Sequence, residues 1–162
     1  MRVALGVLSL LFVAAAGSAA EPVYLDELME MPVARLQTTF TDLKKEGCYR
    51  IADNRYVLVQ IDKKDLKPWR VVLASTPPCR RAETGPLLDL RERAGVDLGE
   101  TQVDVVKQMK RPETAQPTDV SLRRFGDMEW FYICRVSEGC ARHTSVFFKD
   151  GVVSAISEWY SE

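Results

Sequence analysis

The chain has 162 residues, with 22 Lys and Arg against 23 Asp and Glu and a formal net charge of -1. That length suits one domain with a real core. The near-neutral balance excludes a dense basic surface of the kind nucleic acid demands. The basic pairs Lys44-Lys45, Arg80-Arg81, Lys110-Arg111 and Arg123-Arg124 are scattered and read as solvated rims of elements.

Arg2 precedes an apolar run, residues 3–16, that is too short to span a bilayer, and Gly17-Ser18-Ala19-Ala20 supplies the small residues a signal peptidase needs. Residues 1–20 therefore read as a cleaved export signal, cut after Ala20, with Ala19 as the alternative. Removing them leaves 142 of the 162 residues, and losing Arg2 moves the formal charge from -1 to -2. The residue after the cut is Glu21 and the first cysteine is Cys48, so no lipid attachment is expected. The processed chain is expected in the periplasm, or secreted, without a membrane span.

The mature region, 21–162, reads as a single α+β domain: antiparallel strands packed by short helices. Residues 23–46 read as two helical pieces. Tyr24, Leu25, Leu28 and Met29 form the first stripe. Pro32 starts a second piece with Val33, Leu36, Phe40 and Leu43 on one face, ended by Lys44, Lys45 and Gly47. From Cys48 the period becomes two. Residues 48–52, 55–62 and 69–75 read as a β-meander that completes the first half, 21–80, with Val57, Val59 and Ile61 on one face. Residues 76–86 read as a loop, and 87–90 as a short strand. Thr101 is a natural cap for a helix over 102–110, with Val103, Val106 and Met109 as its buried stripe. Residues 112–119 read as an exposed loop and 120–125 as a weak strand. Residues 130–134, 142–148 and 152–159 complete a second meander, with Asp150-Gly151 as a hairpin turn and a bulge near Val153.

Cys48, Cys79, Cys134 and Cys140 are an even set in a chain read as exported, so disulfides are the default. Three connectivities exist. The local pairing Cys48–Cys79 with Cys134–Cys140 is favoured because each pair brackets a meander or hairpin; the crossed pairings would need one continuous sheet. The local loops would contribute about 3.7 and about 2.4 kcal/mol by chain entropy. The spacings lack the C-x₂₋₄-C of a zinc site, so no metal or other cofactor is expected.

The order Gly95-Val96-Asp97-Leu98-Gly99-Glu100-Thr101, a short helix, Pro112, Trp130-Phe131-Tyr132 and Phe148-Lys149-Asp150-Gly151-Val152-Val153-Ser154-Ala155-Ile156 resembles the SmpA/OmlA family. Its members are small components of the outer-membrane β-barrel assembly machinery, and the fold is similar to that of β-lactamase inhibitor proteins. The resemblance covers about residues 87–159, within a second half taken as 87–162. It implies a helix-and-meander fold and a partner that is another envelope or secreted protein. Two features depart from the pattern: Lys110-Arg111 stand where the family places Gly before the Pro, and no lipid-accepting Cys exists. A helix-then-strands order over residues 24–75 would make the layout a tandem one, as in the inhibitor proteins, without residue-level identity.

His143 is the single histidine, so a Ser-His or Cys-His mechanism would have to use it. Ser145 and Ser157 lie near it in sequence, but neither sits in a G-x-S-x-G elbow. Glu27, Glu30, Asp89, Glu92 and Asp97 show no pairing that spacing can certify. Neither a P-loop nor a G-x-G-x-x-G occurs. The expectation is a non-enzymatic protein-binding domain of the cell envelope, in assembly or maintenance, with Trp159 and Tyr160 as candidate binding anchors. The alternatives are a secreted or periplasmic enzyme inhibitor and a small hydrolase using His143.

Overall fold

Pro32 divides the first helical stretch, as its missing N–H requires. In the computed structural model, which describes residues 21–62, 64, 67–133 and 142–161, β1 (Val23–Tyr24) leads into α1 (Leu25–Glu30). Pro32 then caps α2 (Val33–Thr39). Leu25, Leu28, Met29, Leu36, Phe40 and Leu43 are all buried. The second helix stops earlier than its apolar spacing suggests. The Thr38 and Thr39 hydroxyls donate back to the Ala34 and Arg35 carbonyls, and Asp42 at φ 60° turns the chain. Lys44 and Lys45 thus lie outside the helix. Gly47 is not its stop but a residue of β2, where a Cβ would come within 2.5 Å of the Tyr49 ring.

Strands β2 (Glu46–Ala52), β3 (Arg55–Ile61) and β4 (Pro68–Ala74) form the expected meander. Asn54, at φ 54°, closes its first turn. Val57, Val59 and Ile61 share a face with Val71 and Leu73, buried under the helices. Next come β5 (Glu83–Thr84), which adds parallel to β2, and β6 (Leu90–Arg91), which pairs in parallel with β1. The strand expected over 87–90 is thus confined to its end; Leu87 is 88% exposed. Cys48 and Cys79 form a disulfide that ties the crossing between β4 and β5 to β2, with Cα atoms 6.5 Å apart. The second expected bridge, Cys134–Cys140, lies outside the described residues.

Thr101 caps α3 (Gln102–Met109), accepting the Asp104 N–H, while the Asp104 carboxylate takes the Thr101 N–H. The expected stripe is corrected here. Val105 is fully buried, whereas Val103 is 64% exposed. Two further expectations change places: residues 114–117 form the edge strand β7 (Thr114–Pro117), and the segment read as a strand is a 3₁₀ turn, Val120–Leu122, capped by Asp119. Every residue of β7 is exposed, so no apolar alternation could announce it. Proline is tolerated there because β7 pairs on one side only.

β8 (Met128–Ile133), β9 (Arg142–Lys149) and β10 (Val152–Tyr160) finish the chain, with Asp150 at φ 52° and Gly151 at φ 81° in the last hairpin. The expected bulge is present, a register shift between Val153 and Ala155. The fold is α+β, with one eight-stranded, mostly antiparallel sheet in the order β5-β2-β3-β4-β10-β9-β8-β7. Each meander runs from an outer strand inward, so their last strands, β4 and β10, meet antiparallel at the centre. The helices cover one face. Part of the other is closed by a smaller cluster, in which Phe125 stacks on Phe147 and Cys48, Leu58 and Val72 join Cys79 and Leu122.

Candidate functional site

Strand alternation and register place one row of side chains across the second face of the sheet. From β8 to β2 it reads Ile133, His143, Trp159, Arg70, Gln60, Glu46, each the cross-strand partner of the next. Phe131 stands one step inward on β8. The Phe131, His143 and Trp159 rings form a triangle with centroid separations of 5.2, 5.7 and 4.9 Å. Arg70 lies over the Trp159 ring at 5.5 Å and over Trp69 at 4.8 Å. Burial lowers the Arg70 pKa, and Glu129 opposes that. The smaller apolar cluster closing this face does not include these residues. Ile133 remains 47% exposed. Trp, Arg and Phe with partly open faces are the side chains that anchor protein interfaces.

Trp159 and Tyr160 are separated by that same alternation. Trp159 points into the row and its indole N–H donates to Ser145 Oγ at 3.1 Å. Tyr160 points to the helix side, where its hydroxyl donates to Glu30. Both border a cleft of about 1240 Å³ that runs from the α1–α2 junction at Met31 and Pro32 to Trp69. Trp69 and Arg70 were not anticipated as site residues. Only the pairing of β4 with β10 brings Arg70 beside Trp159.

His143 contacts neither catalytic candidate suggested by sequence proximity. Its Nε2 lies 3.0 Å from Ser161 Oγ, while Ser145 is taken by Trp159 and the Ser157 hydroxyl is buried without a partner. His143 Nδ1 is also buried and unpartnered, so no carboxylate orients the ring as a general base requires.

A second constellation sits on the helix side, at the end of the sheet where apolar residues give way to charge. A cleft of about 480 Å³ lies between α1, the turn after β6, the end of α3 and the ends of β8, β9 and β10. Glu158 lines it, 5% exposed. Burial pushes its carboxyl up to about 7, against the Thr144 hydrogen bond and the Arg142 charge, which favour ionisation. Glu92, likewise 5% exposed, is raised by burial against the backbone N–H groups of Ala94, Val96 and Gly95. Asp26 is engaged by Arg93 at 2.6 and 3.0 Å. Of the carboxylates singled out in sequence, Glu27 also joins Arg93 at 3.1 Å, Glu30 takes Tyr160, Asp89 pairs with Arg91 and Asp97 with Arg55. Lys110, at φ 68° and ψ -160°, ends α3 on the cleft rim. Among the described residues no group of three or more His, Cys, Asp or Glu is arranged to hold a metal.

Comparison of the chain with protein-family models, with curated proteins and with solved structures found no match. The fold alone defines the class: an α+β domain with an eight-stranded sheet and one disulfide in its described part. That disulfide fits an oxidising, extracytoplasmic compartment. No helix among the described residues is long and apolar enough to cross a membrane.

Proposed function

We propose that this chain is an exported protein-binding domain of the periplasm, SmpA/OmlA-like in its second half, that works in cell-envelope assembly or maintenance. The observation that carries the reading is the row of Phe131, His143, Trp159 and Arg70 on the sheet face opposite the helices. A protein whose only task was to fold would gain more from closing those rings under the neighbouring cluster than from leaving them at its edge. The layout of two meanders meeting at β4 and β10 is in keeping with the tandem arrangement that a helix-then-strands order over residues 24–75 would give. The partner is taken to be another envelope or secreted protein, which docks its own apolar anchors on the row. An enzyme as that partner would make the chain an inhibitor.

Among the described residues, the contact of His143 with Ser161 is the one feature that favours a hydrolase. It lacks an orienting group at Nδ1, which makes binding the better supported reading.

Photo-crosslinking in intact cells tests the proposal. A crosslinking residue at Ile133, on the row, is expected to capture an envelope protein, and the capture should be lost when Trp159→Ala is added. The same residue at Leu87, exposed but remote from the row, should capture nothing specific. Equal capture from both positions, or capture indifferent to Trp159→Ala, would count against it.

A further inference from the structure

We propose that the cleft between the α1–α2 junction and the β3–β4 turn binds a single-chain anionic amphiphile. Its hydrocarbon tail lies on Met31, Val33, Trp69 and Tyr160, and its carboxylate or phosphate head meets Lys64 and Lys67. The inference rests on this cleft alone and needs no protein partner on the aromatic row.

The walls are apolar and open. Pro68 and Trp69 begin β4, Tyr160 ends β10, and Met31, Pro32 and Val33 join the two helices; all six line the cleft. Met31, Val33, Trp69 and Tyr160 are half-buried, so each keeps accessible surface, and a ligand that takes such surface from water is favoured. The volume of about 1240 Å³ exceeds that of compact small-ligand sites, roughly 300–1,000 Å³, and leaves room for an extended chain. Met31 suits such a chain, since an unbranched thioether adapts to a flexible neighbour. A peptide would bring amide groups that need partners. Strands β3, β4 and β10 are each paired on both sides, and Pro32 and Pro68 carry no N–H. The walls therefore present no sheet edge to a peptide backbone, and a hydrocarbon asks for none.

The rim selects the head group. Two carboxylates line the cleft and both are engaged. Glu30 accepts the Tyr160 hydroxyl and lies 3.5 Å from Arg142, while Asp62 accepts the Lys64 N–H at 2.6 Å. The Asp62 N–H bonds in turn to the Lys67 carbonyl at 2.8 Å, which holds both lysines at the lip where β4 starts. Lys64 and Lys67 are exposed and have no ion-pair partner among the described residues. Arg70 adds a third positive charge, its guanidinium 4.8 Å over the Trp69 ring. Such a rim attracts an anionic head and repels a cationic one.

Calorimetric titration of the processed, disulfide-bonded protein with octanoate, dodecanoate, dodecyl phosphate and dodecanol, each below its micellar or solubility limit, is the test. Dodecanoate is expected to bind saturably and at least about tenfold more tightly than octanoate, because each methylene withdrawn from water is worth about fourfold. Dodecanol on the parent, and dodecanoate on the double variant Lys64→Glu and Lys67→Glu, should each bind about tenfold more weakly, the scale of one lost charged contact. Val33→Trp, which fills the cleft, should abolish binding of every chain. Should that variant not fold, the lysine pair, which alters only exposed turn residues, decides the matter. Dodecyl phosphate binding more tightly than dodecanoate would support a phospholipid-derived ligand, and the reverse a free fatty acid. The proposal is overturned by absence of saturable binding, by dodecanol binding as tightly as dodecanoate, or by a folded variant that binds like the parent. Tighter binding of the acidic apolar peptide N-acetyl-Leu-Phe-Leu-Glu than of dodecanoate would overturn it as well.

Discussion

Thr144 and Glu158 face each other as cross-strand partners of β9 and β10, and the Thr144 hydroxyl donates to Glu158 Oε1 at 2.7 Å. The pair stands where the helix-side surface of the sheet changes from Val146, Phe148 and Ile156 to charged groups. A neutral donor meets a buried carboxyl there, with Arg142 Nε 3.5 Å from the other oxygen. Burial outweighs both contacts and holds the Glu158 proton up to about pH 7.

Stability should therefore fall as pH rises. The folded chain keeps the Glu158 proton to about 7, from an ordinary value of 4.5, so between those values the folded state binds more protons than the unfolded one. The contribution is fully present below 4.5 and lost above 7, a span worth up to about 3 kcal/mol. Glu158→Gln keeps an acceptor for Thr144 and cannot ionise. In urea titrations it is expected to exceed the parent in stability above pH 7 and to match it below 4.5. Equal stability at both ends would show that Glu158 titrates normally.

Replacing Cys48 and Cys79 together by alanine should cost about 3.7 kcal/mol, the entropy of the closed loop. The loss should appear as a lower urea midpoint under oxidising conditions, and reductant should bring the parent toward the variant. An unchanged midpoint would mean that the crossing between β4 and β5 is held by packing alone.

Lys110→Gly should stabilise the fold by about 1 kcal/mol, because glycine adopts positive φ without the side-chain penalty and gives part of that gain back through its freer unfolded chain. Lys110→Val should do the reverse. Thermal melts of the three proteins rank them directly, and a glycine variant less stable than the parent would contradict the backbone geometry at the end of α3.

Val105→Ala is expected to cost about 2 kcal/mol and Val103→Ala almost nothing, since only the first leaves a gap in the core. Comparable losses would restore the helix phase suggested by the sequence.

The two valines show how far local pattern carries. In α3 the apolar residues Val103, Val105, Val106 and Met109 fit more than one helical stripe, and eight residues are too few turns for the period to choose. What chooses is the sheet beneath. Where local chemistry alone is decisive, the sequence suffices. Pro32 breaks a helix, Thr101 and Asp104 cap one, Asp150-Gly151 forms a tight turn, and Val57, Val59 and Ile61 alternate on a buried face. Each depends on residues within a few positions, whose steric and hydrogen-bonding preferences act wherever the chain is placed. The Cys48–Cys79 bridge was legible for a related reason, because a meander returns its exit to the side of its first strand.

The sites depend on the register of strands that are distant in sequence. Trp159 lies beside Arg70 because β10 pairs with β4, and beside His143 because of the final hairpin register. Alternation sends Tyr160 to the opposite face. Glu92 and Glu158 share a cleft because the turn after β6 folds over the end of β10. One residue of slip in either strand would exchange its two faces. The sequence by itself determined the break at Pro32, the capped start of α3, the long strands of the two meanders, their tight turns and one cross-link, since those free energies are local. It did not determine the short edge strands β1, β5 and β7. Only the tertiary structure decided which aromatic rings form a surface and which carboxylates lose their water, because burial belongs to the assembled sheet and not to any segment of the chain.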